Sequence, residues 1–239
     1  MAFATLLLAA TLGLLTHGTS AAASACRCLP TDPCWAQVPW KALNASVGGR
    51  LQKSVDELAV CVPSKGGDVA SAKCAAALGQ TDDEFWLADR PNGFQHTGLF
   101  NAWNISDDLS EYSVLAETEA DFAATIKFAH DHNLRLVVKA TGHDWFGRST
   151  AAGSLLLWTH LRKNITWHES FVAEGCAAAG SATSAATVQS GVQFIDLYPD
   201  AHEQGKIVMG GTCDSVGVAG CWMAGCYGPF TRRFGNGGK

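Results

Sequence analysis

From Ser110 onward the chain alternates between short apolar runs and longer stretches with helical spacing, a pattern that predicts an α/β arrangement. Short runs rich in apolar and β-branched residues, bounded by polar or glycine-containing segments, predict strands. The predicted strands are residues 112–116, 134–139, 155–159, 165–168, 187–190 and 207–209. Residues 176–186 are small and polar and predict a surface loop, whereas residues 194–204 predict a helix.

A further helix is predicted directly after the first of these strands. Thr118 is a favoured N-cap residue, and Asp121 stands three positions later as the partner in an approximate capping box. Phe122, Ile126 and Ala129 recur at helical spacing and predict the buried face of this helix.

The start of the chain has the pattern of an export signal. Residues 2–15 form an almost unbroken apolar run, and residues 18–25 are mostly small. This order predicts a secretory signal peptide over residues 1–25, with cleavage after Ala23 or Ala25. The run is shorter than the ~20 apolar residues that a membrane span needs. The alternative interpretation is a buried N-terminal helix.

Cysteines are concentrated in the next segment, a turn-rich N-terminal extension over residues 26–104, and the whole chain contains nine. In an exported protein most would pair, and an odd count leaves at least one thiol for another role. The alternative, a metal knuckle at Cys26 and Cys28, lacks a second pair of ligands at zinc spacing, so no metal site is predicted. Three N-glycosylation acceptors agree with a secreted, extracellular protein: Asn44, Asn104 and Asn164.

Composition narrows the class of protein. Apolar residues make up 47% of the chain and charged residues 16%, which favours a packed core over disorder. The net charge of -5 provides no basic surface for nucleic acid or for an anionic membrane. No other apolar run is long enough for a membrane span.

Two glycine-containing loops are the candidate sites of chemistry, and the first covers residues 139–149. Gly142 and Gly147 permit a tight loop whose backbone N–H groups can face a pyrophosphate. Arg148 can add a charge and Ser149 a hydroxyl donor. His143 lies within this loop, although a single loop histidine is explained equally well as a solvated or structural residue.

The second loop covers residues 210–220 and also follows a predicted strand. It is not a Rossmann fingerprint, because no Gly-x-Gly-x-x-Gly opens a helix within a βαβ unit. It is not a P-loop either, because the Gly-Lys-Ser/Thr ending is missing. Cys213 lies in this loop, and by itself it is explained equally well as half of a disulfide.

Taken together, the loops resemble the FAD-binding domain of the vanillyl-alcohol-oxidase or p-cresol-methylhydroxylase class, and more narrowly the berberine-bridge-enzyme-like oxidases. The first loop of that subfamily follows the pattern Gly/Thr-Gly-His-Asp/Ser-aromatic-x-Gly-x-Ser, which residues 141–149 match. The second follows the pattern Gly-x-Cys-Pro/x-Ser/Thr-Val-Gly-x-Gly/Ala-Gly, which residues 211–220 match. The lead-in over residues 117–139 and the cysteine-rich stretch over residues 26–35 resemble the family as well, the latter its fungal-type secreted members.

The resemblance implies an α+β fold, namely a p-cresol-methylhydroxylase-type FAD-binding domain of two α/β subdomains, over residues 105–239. It implies covalent FAD, with His143 bonded to the 8α-methyl and Cys213 bonded to C6 of the isoalloxazine. A neutral imidazole and a thiolate would be the nucleophiles, and the N–H dipoles of the glycine loop are expected to lower the pKa of the thiol. The other cofactor-binding residues that it implies are Ala140, Thr141, Gly142, Asp144, Gly147, Arg148, Ser149, Gly211, Thr212, Val216, Gly217 and Gly220.

Two departures from the family pattern matter. Cys221 and Cys226 stand where histidine or glycine is common, and they form a local disulfide or pair elsewhere. If Cys213 bonds to flavin, eight cysteines are left, and these can pair. Family members also continue beyond Lys239 into a substrate domain and a segment that bears a catalytic base, so the chain is expected to be truncated and its catalytic residues are unknown.

The leading hypothesis is therefore a secreted FAD-dependent oxidase that oxidises an alcohol, a sugar or a similar small molecule with O2 as acceptor. One alternative is a truncated, non-catalytic fragment that binds FAD. Two others are a secreted, disulfide-rich binding module and a Cys–His hydrolase, although no papain-type signature surrounds the cysteine.

Overall fold

The computed structural model describes residues 26–96, 109–176 and 182–237. The predicted signal peptide, Asn104 and the boundary between residues 104 and 105 lie outside the described residues. The helices are α1 (Trp40–Ser46), α2 (Ala72–Leu78), α3 (Glu84–Ala88), α4 (Glu119–Asp131), α5 (Phe194–Glu203), α6 (Val218–Met223) and α7 (Thr231–Phe234). The strands are β1 (Leu51–Lys53), β2 (Ser110–Leu115), β3 (Arg135–Lys139), β4 (Ser154–Trp158), β5 (Ile165–Phe171) and β6 (Thr183–Val188).

A four-stranded mixed sheet with the order β1-β2-β4-β3 organises the first unit. Strands β2, β4 and β3 run parallel, whereas β1 pairs antiparallel with β2. All residues of β4 are buried because it is flanked by β2 and β3. Strand β3 was predicted to be a buried strand, but it lies at the sheet edge and leaves Val138 57% exposed. The carboxyl ends of the three parallel strands meet at one edge, where ligands bind in open α/β sheets.

Helix α4 provides the crossover between β2 and β3. Thr118 and Asp121 form the predicted capping box, and the Asp121 carboxylate also accepts a hydrogen bond from the Arg50 guanidinium at 2.5 Å. The predicted buried face was wrong at Ile126, which is 50% exposed, and Phe128 packs into the core instead. The physical reason is that the Asp121 carboxylate bonds to Arg50 beside the sheet, so the side of α4 that carries Asp121 faces the core. Phe128 lies on that side of the helix, and Ile126 does not.

The N-terminal extension completes the core of this unit. Strand β1 lengthens the sheet, and α1 packs on α4 through Leu43 and Val47. The Trp40 ring lies 5.7 Å from that of Phe128 and 4.3 Å from that of Tyr112, measured between centroids. The extension is therefore built into the same hydrophobic core as the sheet.

A second unit combines the antiparallel pair β5–β6 with helices α5 and α6. Its buried residues are Val192, Phe194, Leu197, Val218 and Cys226. The two units together confirm the predicted α+β fold with two α/β subdomains.

Three disulfides are present among the described residues, namely Cys28–Cys34, Cys61–Cys74 and Cys221–Cys226. The last of these settles the predicted alternatives for Cys221 and Cys226 in favour of a local disulfide. Cys213 is unpaired. Cys26 and Cys176 are also unpaired and exposed, so six of the eight other cysteines pair.

The strand predictions failed where long-range pairing decides the structure. Strand β6 begins at Thr183, inside the segment that was predicted to be a loop, because its small residues pair with β5. Residues 207–209 were predicted to be a strand, but they pair with no strand among the described residues, and Ile207 is 69% exposed. The helix predicted over residues 194–204 is confirmed as α5. Within the described ranges, none of the helices has the length and apolar character that crossing a membrane requires.

Candidate functional site

The first glycine loop follows β3 and is shaped by backbone geometry and one ion pair. Gly142 has a φ of +106°, and a Cβ there would come within 3.3 Å of the Phe94 ring. Gly147 is also left-handed, with a φ of +73°. Asp144 accepts a hydrogen bond from the Arg148 backbone at 2.7 Å and pairs with its guanidinium. The charge expected at Arg148 is thus paired within the loop.

The second glycine loop packs directly on the first. The backbone N–H of Gly217 donates to Thr141 Oγ1 at 3.1 Å, and a Cβ on Gly217 would lie 3.2 Å from that of Ala140. The Gln193 side chain donates to the Ser215 carbonyl at 2.7 Å and anchors the second loop to α5. Thr141 and Gly217 are both buried, so this hydrogen bond fixes the position of one loop relative to the other.

The hydroxyl of Ser215 lies at the centre of a cluster formed by both loops and α3. Its Oγ is 2.8 Å from His143 Nε2 and 3.3 Å from Cys213 Sγ. The hydroxyl donates to Glu84 Oε2 at 2.6 Å, and the Cys213 thiol donates to the same oxygen at 3.0 Å. The two residues predicted to bond to flavin therefore meet at one hydroxyl that is almost completely buried. We call Glu84, His143, Cys213 and Ser215 the Ser215 cluster.

The ligand atoms of Glu84, His143 and Cys213 lie within 4.8 Å of one another, a spacing that permits metal binding. The Ser215 hydroxyl stands among all three and forms a hydrogen bond with each. A metal ion bound there would have to displace that hydroxyl, so the described geometry favours a hydrogen-bonded network. The absence of a metal site stays a prediction.

The environment of His143 favours its neutral form. Its ring packs against Phe94, with the centroids 4.1 Å apart. Burial lowers the pKa of His143 to about 4, and the charge of Lys139 also lowers it, whereas Glu84 acts to raise it. Burial lowers the pKa of Lys139 itself to about 7, and its amine donates to the Arg90 carbonyl at 2.6 Å. At neutral pH the imidazole is uncharged and carries a free nitrogen lone pair.

The prediction for the Cys213 thiol was wrong. Burial raises the pKa of Cys213, and the hydrogen bond to Glu84 raises it further. The hydrogen bond from Cys213 is in turn the largest cause of the lowered pKa of Glu84, followed by that from Ser215. The thiol faces a carboxylate, and this neighbour outweighs the backbone dipoles that were expected to lower its pKa.

The other predicted residues lie in the two loops, and several have structural contacts. The Ala140 carbonyl accepts from the Trp158 indole at 2.8 Å, and the Gly211 carbonyl accepts from the Tyr198 hydroxyl. The Val216 carbonyl accepts from the backbone of α5 at 3.2 Å. Ser149 is half-buried, whereas Thr212 and Gly220 are exposed.

Sequence reasoning missed four residues of the site, namely Glu84, Phe94, Lys139 and Ser215. Glu84 is separated from Cys213 by 129 positions and has no local motif, so no spacing signal points to it. Phe94 lies in the same extension. Ser215 carried a usable signal, because a hydroxyl two positions after a candidate nucleophile often orients it.

A cavity of about 700 Å³ lies beside the carboxyl ends of β2 and β4. Lys53, Arg90, Trp158 and His160 are among its lining residues. His160 pairs with Asp89 at 2.7 Å. The volume falls within the range of about 300–1,000 Å³ that is typical of small-molecule sites. Arg90 connects the cavity to the first loop, because its carbonyl holds Lys139.

Residues 110–239 match the family model described as FAD binding domain, and the chain belongs to this family. Solved structures to which the chain is similar include two VAO-type flavoproteins from Myceliophthora thermophila C1. MtVAO713 gives a TM-score of 0.75 at 30% identity over 88% of this chain and 40% of that protein. MtVAO615 gives 0.72 at 29% identity over 89% of this chain and 40% of that protein.

Curated relatives are FAD-linked oxidoreductases. An uncharacterized FAD-linked oxidoreductase of Arthroderma benhamiae is 33% identical over 230 residues, which cover 87% of this chain and 39% of the relative. The FAD-linked oxidoreductase patO of Aspergillus clavatus is 34% identical over 234 residues, which cover 89% of this chain and 38% of the relative. The chain thus spans about two fifths of the length of these relatives. The predicted resemblance to this class of flavoprotein is confirmed.

Proposed function

We propose that the chain is the FAD-holding part of a secreted oxidase that binds FAD covalently through His143 and Cys213. The observation that carries the proposal is their convergence on the Ser215 hydroxyl, with Nε2 at 2.8 Å and Sγ at 3.3 Å. The 8α-methyl is borne by C8 of the benzenoid ring of the flavin, and a single ring carbon separates C8 from C6. Two nucleophilic side chains that meet at one hydroxyl suit these two attachment points on one ring.

The residues around the cluster fit such a ring. Gly142 and Gly217 carry no side chain at the points where the loop backbone lies close to neighbouring residues, namely Phe94 and Ala140 respectively. The neutral His143 imidazole is a competent nucleophile at pH 7, whereas Cys213 must first lose its proton. The Lys139 amine lies beside the first loop, and the neighbouring cavity of about 700 Å³ falls within the size range of small-molecule sites.

Bound flavin would supply hydride acceptance, and O2 would then reoxidise it to yield H2O2. The described residues hold and orient the ring. We propose an alcohol, a sugar or a similar small molecule as the substrate, following the family resemblance.

Export is part of the proposal. The predicted signal peptide, the three disulfides and the exposed acceptor Asn164 support an oxidising, extracellular compartment. The Asn164 amide lies 3.1 Å from Thr166 Oγ1 within its own acceptor sequence, on the surface.

The attachment sites are tested by expressing the chain in a secreting host and separating it on a denaturing gel. Flavin fluorescence in the protein band, with a mass increase of one flavin, is the expected result. His143→Ala and Cys213→Ser should each leave one bond, and the double variant none. His130→Ala and Cys176→Ser are matched controls, because both residues are exposed. A wild-type band without flavin, or a double variant that retains it, overturns covalent attachment at these residues.

A second candidate is a FAD-binding fragment without turnover, and the observation that favours it is coverage of about two fifths of the relatives. Oxygen uptake over a panel of alcohols and sugars distinguishes the two. Substrate-dependent H2O2 formation supports the oxidase, and bound flavin without oxygen uptake supports the fragment. Family membership leaves the disulfide-rich binding module and the Cys–His hydrolase without a supporting observation.

A further inference from the structure

We propose that Glu84 and Ser215 are positioning residues that fix the tautomer of His143, so that Nδ1 is the nucleophile, and that they carry away the imidazole proton during flavin attachment. This inference rests on the proposed covalent attachment at His143. It assigns a role to a carboxylate that belongs to the N-terminal extension and lies outside both glycine loops.

The direction of each hydrogen bond follows from the number of protons available. Ionised Glu84 can only accept, and it lies 2.6 Å from Ser215 Oγ. The single hydroxyl proton of Ser215 is therefore donated to Glu84. Ser215 has no second proton to offer, so in its 2.8 Å contact with His143 it must accept.

His143 must accordingly carry its proton on Nε2. A neutral imidazole has one N–H, so the other nitrogen, Nδ1, keeps its lone pair. The ring is neutral at pH 7 because burial lowers the pKa of His143 to about 4. Phe94 packs against the ring with centroids 4.1 Å apart and restricts its rotation. Glu84 is itself exposed, so a proton that reaches it can pass to solvent.

The attachment step balances as follows. A bond between Nδ1 and the 8α-carbon would form as the methyl group loses one C–H proton to solvent, and the electron pair of that C–H bond would stay on the flavin. The alkylated imidazole would release its Nε2 proton to Ser215, whose own proton would pass to Glu84 and from there to solvent. Dioxygen would take up the two electrons together with two protons from solvent and leave as H2O2, which balances the two protons released.

The geometry allows proton transfer from His143 to Glu84 through Ser215. Burial lowers the pKa of His143 to about 4, so the imidazole gives up its proton readily once it is alkylated and cationic. The Ser215 hydroxyl lies 2.8 Å from His143 Nε2 and 2.6 Å from Glu84 Oε2, so it connects the two groups by hydrogen bonds.

Glu84→Gln is the most informative variant. The amide can donate a hydrogen bond to Ser215 Oγ. The Ser215 hydroxyl can then donate its own proton to His143 Nε2, so the hydrogen bond between Ser215 and His143 runs in the opposite direction. The variant is isosteric and the residue is exposed, so folding should be preserved. Glu203→Gln, at an exposed position of α5, is the matched control. Ser215→Ala removes the relay in a second way.

The first measurement uses flavin-free protein with ¹⁵N-labelled histidine. The two nitrogens of a neutral imidazole have distinct ¹⁵N shifts, and His143→Ala assigns the signal. Wild type and Glu203→Gln should show the Nε2–H tautomer at pH 7, whereas Glu84→Gln should shift toward Nδ1–H. An unchanged tautomer in Glu84→Gln overturns the proposal, whatever the state of flavin attachment.

The second measurement is the time course of flavin attachment to His143 after FAD is added, read by peptide mass spectrometry with identification of the bonded nitrogen. Glu84→Gln and Ser215→Ala should attach flavin at least about tenfold more slowly, or yield a mixture of Nδ1 and Nε2 isomers. Wild-type rate and a single isomer in both variants overturn the relay. Wild-type protein that never bonds to flavin overturns the proposed function instead.

Discussion

The hydrogen bond between the Gly217 N–H and Thr141 Oγ1, 3.1 Å long, is the contact on which the mutual position of the two glycine loops depends most directly. Thr141 is 3% exposed, and Gly217 is buried as well. Thr141→Val keeps the shape of the side chain but removes the acceptor. The N–H of Gly217 then loses its partner in a site that water does not reach.

An unsatisfied buried donor costs about 1–3 kcal/mol. A value of about 2 kcal/mol corresponds to a drop in Tm of roughly 4–8 °C for a domain of this size. Thr141→Ser is the matched control, because it keeps the oxygen and loses only a methyl group worth about 0.8 kcal/mol. The serine variant should therefore be the more stable of the two.

Equilibrium unfolding in urea measures the difference, provided that the m-value stays constant. The reasoning is refuted if Thr141→Val unfolds at the wild-type midpoint, or if Thr141→Ser is the less stable variant. Thr141→Val should also loosen the relative position of His143 and Cys213. If flavin bonds to both residues as proposed, peptide mass spectrometry should show fewer molecules with flavin bonded at both.

Three further predictions concern stability and export. Burial acts to raise the pKa of Asp121, but its backbone hydrogen bonds and the Arg50 guanidinium outweigh burial and lower that pKa. Asp121→Asn should therefore lower the free energy of unfolding by about 2 kcal/mol at pH 7. Because a lowered carboxyl pKa stabilises the fold above the unfolded value, this difference should vanish as the pH falls through the folded pKa in acid unfolding curves. Gly142→Ala should lower the free energy of unfolding by about 1–3 kcal/mol, measured by thermal unfolding. Gly205→Ala should lower it less, because both glycines have a positive φ but only Gly142 has crowded surroundings. Asn164→Gln should abolish a glycan that endoglycosidase removes from the wild type, whereas Asn44→Gln should have a smaller effect, because the Asn44 side chain is half-buried and accepts the Leu51 N–H.

Local signals account for the parts of the fold that were predicted correctly. The capping box of Thr118 and Asp121 depends on neighbours three positions apart, and both hydrogen bonds are present. Strand β4 was predictable because a continuous apolar run suits a position between two other strands. Strand β6 was predicted only at its C-terminal end, because the alanines at its centre have little strand propensity by themselves and pair only through β5.

The residues of the candidate site also divide into those that local patterns indicate and those that long-range packing positions. The sequence indicates His143 and Cys213 because glycine loops and reactive side chains lie together in short patterns, and the two side chains meet at the Ser215 hydroxyl. Their bonds to flavin stay predictions. The sequence does not indicate Glu84, because its position depends on how α3 packs across the extension onto the second loop. Burial is the largest cause of the raised pKa of Cys213, and the missed contact with Glu84 raises it further.

The N-terminal extension therefore has a role at the site beyond that of a disulfide-stapled cap. A Cβ on Gly93 would lie 1.9 Å from the Leu87 carbonyl, so the segment after α3 packs with its backbone directly on that helix. This contact ties Phe94, which restrains His143, to the helix that presents Glu84 to Ser215. The Cys61–Cys74 disulfide anchors the chain just before α3. Any change that loosens the extension should move both the Phe94 ring and the Glu84 carboxylate. It should therefore disturb the proposed flavin attachment without altering either glycine loop.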